Sequence, residues 1–93
     1  MNDEKIFEQA LKKWGEKNQL IVACEELAEL IQSITKYLRQ KDKTTVPYNL
    51  AEETADVLIM IEQMIIMLDI KVPVEDIYKL KIKRLEKLLC QST

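Results

Sequence analysis

Histidine is absent from this chain of 93 residues, and the two cysteines, Cys24 and Cys90, are far apart in the sequence. Because histidine is the commonest general base and a usual ligand of zinc, its absence excludes histidine-based catalysis and histidine-ligated zinc. The cysteines form no CxxC pair. Cys24 falls on an apolar helix face, where we expect a buried free thiol and no disulfide, as in a reducing cytoplasm.

Chain-breaking residues are also scarce, with one glycine and two prolines. Together with abundant Leu, Ile, Glu and Lys, this scarcity predicts an all-α fold in a single domain, residues 1–93. The net charge is −2 and no basic patch stands out, so we expect no nucleic-acid partner. The first residues lack the regions of a signal peptide. The longest apolar stretch, 57–68, is shorter than the roughly 20 residues that span a bilayer, so we expect no membrane partner.

Hydrophobic periodicity predicts four helices, which span residues 3–15, 19–40, 50–69 and 74–90. We expect Gly15 to end the first helix and Asn18 to cap the second. A polar loop, 40–48, separates the second helix from the third, which Asn49 is expected to cap in a capping-box spacing. Pro73 is expected at or just before the first turn of the fourth.

Apolar residues on the two central helices predict extensive packing. The second helix carries an apolar row at alternating spacings of three and four: Cys24, Leu27, Ile31, Ile34 and Leu38. The third helix is apolar almost all round after Asp56, and three other helices can hardly cover it on every side. We therefore expect a four-helix bundle-like protomer that forms a homodimer or homotetramer through this central third helix.

Acidic residues recur at helical spacing in two places, Glu25-Glu26-x-x-Glu29 and Glu53-x-x-Asp56. Glu26 and Glu29 share one helix face, and Glu53 and Asp56 share another. The loop between the helices is short enough for a hairpin that brings both faces together. Four close carboxylates repel one another, and a hard divalent cation relieves that repulsion. The pattern therefore predicts a magnesium site that receives a triphosphate.

Two groups of residues on these helices are candidates to meet phosphate. Below Glu29 the same line of the second helix continues with Ser33, Lys36 and Gln40, an order that suits a metal followed by phosphate oxygens. The fourth helix is basic, which is usual for a solvated face but also suits an anionic substrate. Its basic residues are Lys79, Lys81, Lys83, Arg84 and Lys87.

The paired acidic motif resembles the signature of the MazG-like all-α nucleoside triphosphate pyrophosphohydrolases. The resemblance runs from about Trp14 to about Leu85. It rests on Glu26-Leu27-Ala28-Glu29-Leu30-Ile31, on Glu53-Thr54-Ala55-Asp56-Val57-Leu58-Ile59, on Trp14-Gly15 and on Gln19.

The resemblance implies a nucleotide-pool enzyme that cleaves a nucleoside triphosphate to the monophosphate and pyrophosphate. By similarity, Mg²⁺, or Mn²⁺ in its place, would be held by Glu26, Glu29, Glu53 and Asp56. Glu25 would assist catalysis, either as a further ligand or by orienting the attacking water. An oxygen-only site suits magnesium, and phosphoryl chemistry depends on positioning and electrostatics more than on histidine or cysteine.

The remaining substrate contacts are less closely defined by the resemblance. Lys81 and Arg84 lie in the region of the last helix that family members use against phosphates. Asn18 and Gln19 are candidates for contact with the base or sugar. Trp14, the only tryptophan, either packs in the core or offers a stacking surface to a nucleobase.

Other functions remain open on the sequence alone. Phosphoribosyl-ATP pyrophosphohydrolase is a close relative, but the Trp-Gly and Gln features favour the MazG-like proteins. A protein of another class, a non-catalytic oligomeric helical adaptor, would use the acids for solubility or for a structural metal. An inactive member of the family would bind nucleotides as a sensor.

Overall fold

The computed structural model describes residues 2–91, and within that range it contains four α helices and no β strand. The helices are α1 (Asp3–Trp14), α2 (Glu16–Arg39), α3 (Tyr48–Met67) and α4 (Lys71–Cys90). The prediction of an all-α fold with four helices is confirmed. Across the same residues, no helix is both long and apolar enough to cross a membrane.

A single glycine separates α1 from α2. Gly15 has φ 86° and ψ 157°, a conformation that is essentially restricted to glycine, and its amide donates to the Leu11 carbonyl to close α1. Because the chain turns within this one residue, α2 starts at Glu16, three residues earlier than predicted. Asn18 therefore lies inside α2, where its Nδ2 donates to the Trp14 carbonyl oxygen at 2.8 Å. The prediction that Asn18 caps the helix was wrong.

The starts of α3 and α4 also precede the predicted positions. α3 begins directly after Pro47, so Asn49 stands within the first turn and makes no capping hydrogen bond. The predicted capping box was wrong because the proline, whose φ is fixed, already directs the chain into the helix. Between α3 and α4, Asp69 adopts a positive φ of 53°. α4 begins at Lys71, which places Pro73 in its first turn as predicted.

α2 and α3 pack as an antiparallel hairpin, and α1 packs on α3 and, less extensively, on α2. Among residues 2–91 the buried set is small and contains two amides beside three apolar side chains: Gln19, Ala23, Val57, Met60 and Gln63. The core is therefore thin.

Helix packing within the chain is partial. Among the described helices α4 contacts only α3, and every residue from 71 to 91 is exposed. The apolar row on α2 is exposed as well, from Leu27 to Leu38. Cys24, which we expected to be buried, is also exposed. These side chains of α2 lie beside the α2–α3 contact rather than in it. Hydrophobic periodicity therefore identified the apolar face of α2 but not what packs against it.

Candidate functional site

The antiparallel register of α2 and α3 brings acidic residues from both helices together. Glu26 of α2 lies opposite Glu53 and Asp56 of α3, and one carboxylate oxygen from each lies within 4.8 Å of the other two. All three side chains are half-buried. The predicted meeting of the two acidic motifs is therefore present in the fold, in an antiparallel hairpin as expected.

Glu29 stands at the exposed edge of these three acids. Burial is the largest cause that raises the pKa of Glu26 above its ordinary value, followed by the negative charges of Glu29, Asp56 and Glu53. Burial likewise raises the pKa of Glu53 most, followed by the charge of Glu29. The four predicted acids therefore interact electrostatically, and Glu29 also lies within hydrogen-bonding reach of both Glu26 and Glu53. We call Glu26, Glu29, Glu53 and Asp56 the acid cluster.

Two oxygens of the acid cluster lack a partner. Glu26 Oε2 and Glu53 Oε2 are buried and have no hydrogen-bond partner among residues 2–91. Polar atoms that folding removes from water are normally paired, because an unpaired one costs about 1–3 kcal/mol or more. The two oxygens can accept only a proton, a donor or a cation, and no protein group in the described range supplies one.

A cavity of about 510 Å³ opens beside the acid cluster. Its walls carry both signs of charge, with Glu29 and Glu53 at one end and Lys36 and Arg39 on α2 nearby. The described residues that line it are Glu29, Gln32, Ser33, Thr35, Lys36, Arg39, Asn49, Glu52 and Glu53. Ser33 and Lys36 thus share the cavity with the acids, as the helical line on α2 predicted.

A second cavity, of about 520 Å³, lies on the same hairpin nearer to α1. It contains four residues that the sequence singled out, Trp14, Asn18, Gln19 and Glu25. The described residues that line it are Trp14, Asn18, Gln19, Ile21, Val22, Glu25, Met60 and Gln63. Trp14 is 53% exposed, so it is a cavity wall rather than a core residue. We call this space the Trp14 cavity.

The floor of the Trp14 cavity is a pair of buried amides. Gln19 Nε2 donates a short hydrogen bond to Gln63 Oε1, and Gln63 Nε2 lies 3.7 Å from Met60 Sδ. Gln19 precedes Glu26 by seven residues, and Gln63 follows Asp56 by seven. At 1.5 Å per residue, the amide pair therefore lies about 10 Å, or two helical turns, from the acid cluster on the same interhelical face.

Three residues that were predicted to assist catalysis or to meet phosphate are not placed with the acid cluster. Glu25 is exposed and lines the Trp14 cavity instead, because its position on α2 points it to the other side of Glu26. Lys81 and Arg84 are exposed on α4, which contacts neither α1 nor α2 within residues 2–91. Within this chain, the structure therefore gives neither basic residue a position beside the acids.

Two residues that sequence reasoning missed also line these cavities. Gln63 lies within the apolar stretch 57–68 and was not singled out, although it follows Asp56 and Met60 at spacings of seven and three. That spacing places all three on one helix face, and it is the signal that identifies Gln63. Arg39 follows Lys36 by three residues and extends the same line of α2.

No protein-family model, curated protein or solved structure matches this chain. The resemblance to the MazG-like family therefore stays a prediction from the residues.

Proposed function

We propose that this protein is a magnesium-dependent pyrophosphohydrolase of nucleoside triphosphates, which forms a nucleoside monophosphate and pyrophosphate. The observation that carries the proposal is the acid cluster, in which two buried carboxylate oxygens find no hydrogen-bond partner within residues 2–91 and lie beside a cavity that also holds Lys36 and Arg39. Such an arrangement destabilises the fold when the acids are ionised, because neighbouring carboxylates repel one another and so raise one another's proton affinity.

The donor set fits a hard divalent cation. Glu26, Glu53 and Asp56 would hold it, with Glu29 beside them, and all four offer oxygen, the ligand that Mg²⁺ and Mn²⁺ prefer. When bound, such an ion neutralises charge on phosphate oxygens and lowers the pKa of a coordinated water.

The chain's own residues supply the rest of the proposed site. Lys36 and Arg39 pair with phosphate oxygens, and the planar guanidinium of Arg39 allows two parallel hydrogen bonds. Glu29, the exposed member of the acid cluster, accepts a proton from the attacking water. Glu25, which the resemblance implied as a further ligand or as the residue that orients the attacking water, lines the Trp14 cavity, and we assign it to the nucleoside end.

The Trp14 cavity is the proposed place for the nucleoside. Trp14 provides an aromatic face on which a base can stack. The Gln19–Gln63 pair leaves Gln19 Oε1 without a hydrogen bond among residues 2–91, so this oxygen can accept one from a base edge. The separation of about 10 Å from the acid cluster suits a ribose between base and phosphates. Asn18 lines the same space but already donates to Trp14.

We expect the proposed enzyme to work in the cytoplasm. We expect it to be a homo-oligomer, because α3 is too apolar to be covered by one chain. Lys81 and Arg84 have no part in the proposed site within a protomer. The role in the cell that fits this chemistry is control of the nucleotide pool.

Pyrophosphate release from a panel of ribo- and deoxyribonucleoside triphosphates tests the proposal, with Mg²⁺, Mn²⁺ or EDTA present. We expect metal-dependent turnover that Glu53→Gln abolishes without loss of the fold. Glu62→Gln is the matched control, since Glu62 is an exposed acid on the same helix, outside the acid cluster, and should keep full activity.

Two other results of these measurements would indicate a different function. Tight nucleotide binding without product would identify a sensor. A folded, metal-loaded protein that neither binds nor cleaves any nucleotide would refute the proposal and favour the adaptor.

A further inference from the structure

Hydrogen-bond acceptors are prominent among the polar atoms of the Trp14 cavity. Asn18 Nδ2 donates to the Trp14 carbonyl oxygen at 2.8 Å, which leaves Asn18 Oδ1 without a hydrogen bond among residues 2–91. Glu25 lines the same space and offers a carboxylate, which accepts hydrogen bonds and donates none. The amide of Gln19 can present either an oxygen or a nitrogen, so its orientation decides the character of the cavity.

A sulfur atom fixes that orientation. Met60 Sδ lies 3.7 Å from the side-chain amide of Gln63. A thioether sulfur has no hydrogen to donate, so the amide atom that faces it is the nitrogen, Nε2. Gln63 therefore directs Oε1 to Gln19, which donates to it through Nε2. Gln19 Oε1 is then the atom without a partner among residues 2–91, in a side chain that is only 5% exposed.

These acceptors lie along one side of α2. Asn18, Val22 and Glu25 are spaced by four and three residues, so they follow one line on the helix surface, and Gln19 lies beside that line. Val22 and Met60 supply apolar wall between the polar atoms. The volume of about 520 Å³ falls within the range of about 300–1,000 Å³ that small-molecule sites occupy. A nucleobase in this cavity would therefore meet an apolar wall and several acceptors.

Acceptors distinguish the common bases by the donors on their edges. Guanine alone carries two adjacent donors, the N1–H and the N2 amino group. Adenine and cytosine place one amino group beside a ring nitrogen that is itself an acceptor. Uracil and thymine have a single N–H between two carbonyl oxygens, which a carboxylate repels. The cavity therefore favours guanine and disfavours uracil and thymine most.

We propose that the Trp14 cavity selects guanine nucleotides, with Glu25 and Gln19 as the residues that determine specificity. The Glu25 carboxylate accepts from N1–H and from one hydrogen of the N2 amino group, as a pair of charge-assisted hydrogen bonds. Gln19 Oε1 accepts the second hydrogen of that amino group. Met60 is a positioning residue, because it acts only through the orientation of the amides. The inference rests on the proposed function, which places the nucleoside in this cavity.

Trp14 is the only tryptophan, so the intrinsic fluorescence of the full chain reports binding in this cavity. The chain is titrated with GMP, IMP, AMP, CMP and UMP in the presence of Mg²⁺, and each curve gives a dissociation constant. IMP is the matched ligand, since it differs from GMP only in lacking the N2 amino group. We expect GMP to bind about tenfold more tightly than IMP, and UMP to bind most weakly. The triphosphates should rank in the same order by kcat/KM.

Substitutions in the cavity should change this ranking. Glu25→Gln should weaken binding of GMP and strengthen binding of UMP, because a carboxamide offers one donor and one acceptor to the uracil edge. Met60→Leu should lower the preference for GMP over IMP, because the amides are then free to turn over. Glu62→Gln is the control, since Glu62 is exposed and does not line the cavity, and it should change no affinity. Circular dichroism reports whether each variant keeps its helix content.

The pyrophosphate assay separates this inference from the proposed function. Equal affinities for GMP and UMP in a chain that releases pyrophosphate would overturn the inference and leave the proposed function intact. A Glu25→Gln variant that weakens all five nucleotides equally would also overturn it, since that is the result expected of a metal ligand. Guanine-selective binding without turnover would support the inference and refute the enzyme. A folded chain that neither binds nor cleaves any of these nucleotides would refute both.

Discussion

The buried amide pair between α2 and α3 allows a quantitative test of the fold. Gln19 and Gln63 are only 5% and 9% exposed, and Gln19 Nε2 has Gln63 Oε1 as its acceptor. Gln63→Leu removes that acceptor and leaves a buried N–H without a partner. Gln19→Leu leaves the Gln63 carbonyl without its donor. The double variant removes both polar groups and replaces them with side chains of similar size.

The free energies of unfolding lost by the two single variants should therefore add up to more than the double variant loses. A buried donor or acceptor without a partner costs about 1–3 kcal/mol, whereas replacing both partners with apolar groups can be nearly neutral. For a domain of this length, a loss of 1 kcal/mol lowers the melting temperature by about 4–8 °C. We expect a clear drop in melting temperature for each single variant and a substantial recovery in the double variant.

Urea unfolding of the four proteins, in EDTA and at one fixed protein concentration, measures the coupling. Fixed concentration is needed because association shifts apparent stability. Additive losses in the double-mutant cycle would refute the reasoning, because they would show that the two amides do not depend on each other. A stable double variant also separates fold from function, since it should raise KM for a nucleotide if the amides contact the base.

The remaining predictions concern charge and backbone conformation. Glu53→Gln should raise the melting temperature of the metal-free protein by removing a repelled carboxylate, whereas Glu62→Gln should not; thermal scans in EDTA compare them. The raised pKa values of Glu26 and Glu53 mean that the folded state binds more protons than the unfolded state between the ordinary and the raised pKa. Stability in EDTA should therefore fall as pH rises through that window, and urea midpoints that rise with pH would contradict this. Gly15→Ala should cost about 1–3 kcal/mol, since a Cβ there meets nothing within 4 Å and the cost is backbone strain alone; urea unfolding measures it. Lys36→Met should raise KM for a triphosphate while leaving the melting temperature nearly unchanged.

Helix content could be predicted from the sequence because periodicity depends on residues close together in the chain. The extent of α1 was predicted to within one residue. The helix starts were predicted less well, because Gly15 and Pro47 turn the chain within one residue and make the side-chain caps at Asn18 and Asn49 unnecessary.

The candidate site was predictable only where spacing determines it. Glu26, Glu53 and Asp56 meet because helical spacing and a short loop leave few alternatives. Gln63 was missed because a polar residue in an apolar run carries no sign of its partner on another helix. The positions of Lys81 and Arg84 relative to the acid cluster could not be predicted, because periodicity does not determine what an apolar or basic helix packs against.

The polar residues of the hairpin explain why so much apolar surface lies outside it. Going down the α2–α3 contact, one layer is the Gln19–Gln63 amide pair and another is the acid cluster, with Ala23 and Val57 among the few buried apolar side chains. Polar side chains at these inward positions leave little room there for leucine and isoleucine, many of which stand instead at exposed positions of α2 and α3. A hairpin that keeps carboxylates and amides between its own helices therefore gains little stability from its own apolar side chains, many of which stay exposed.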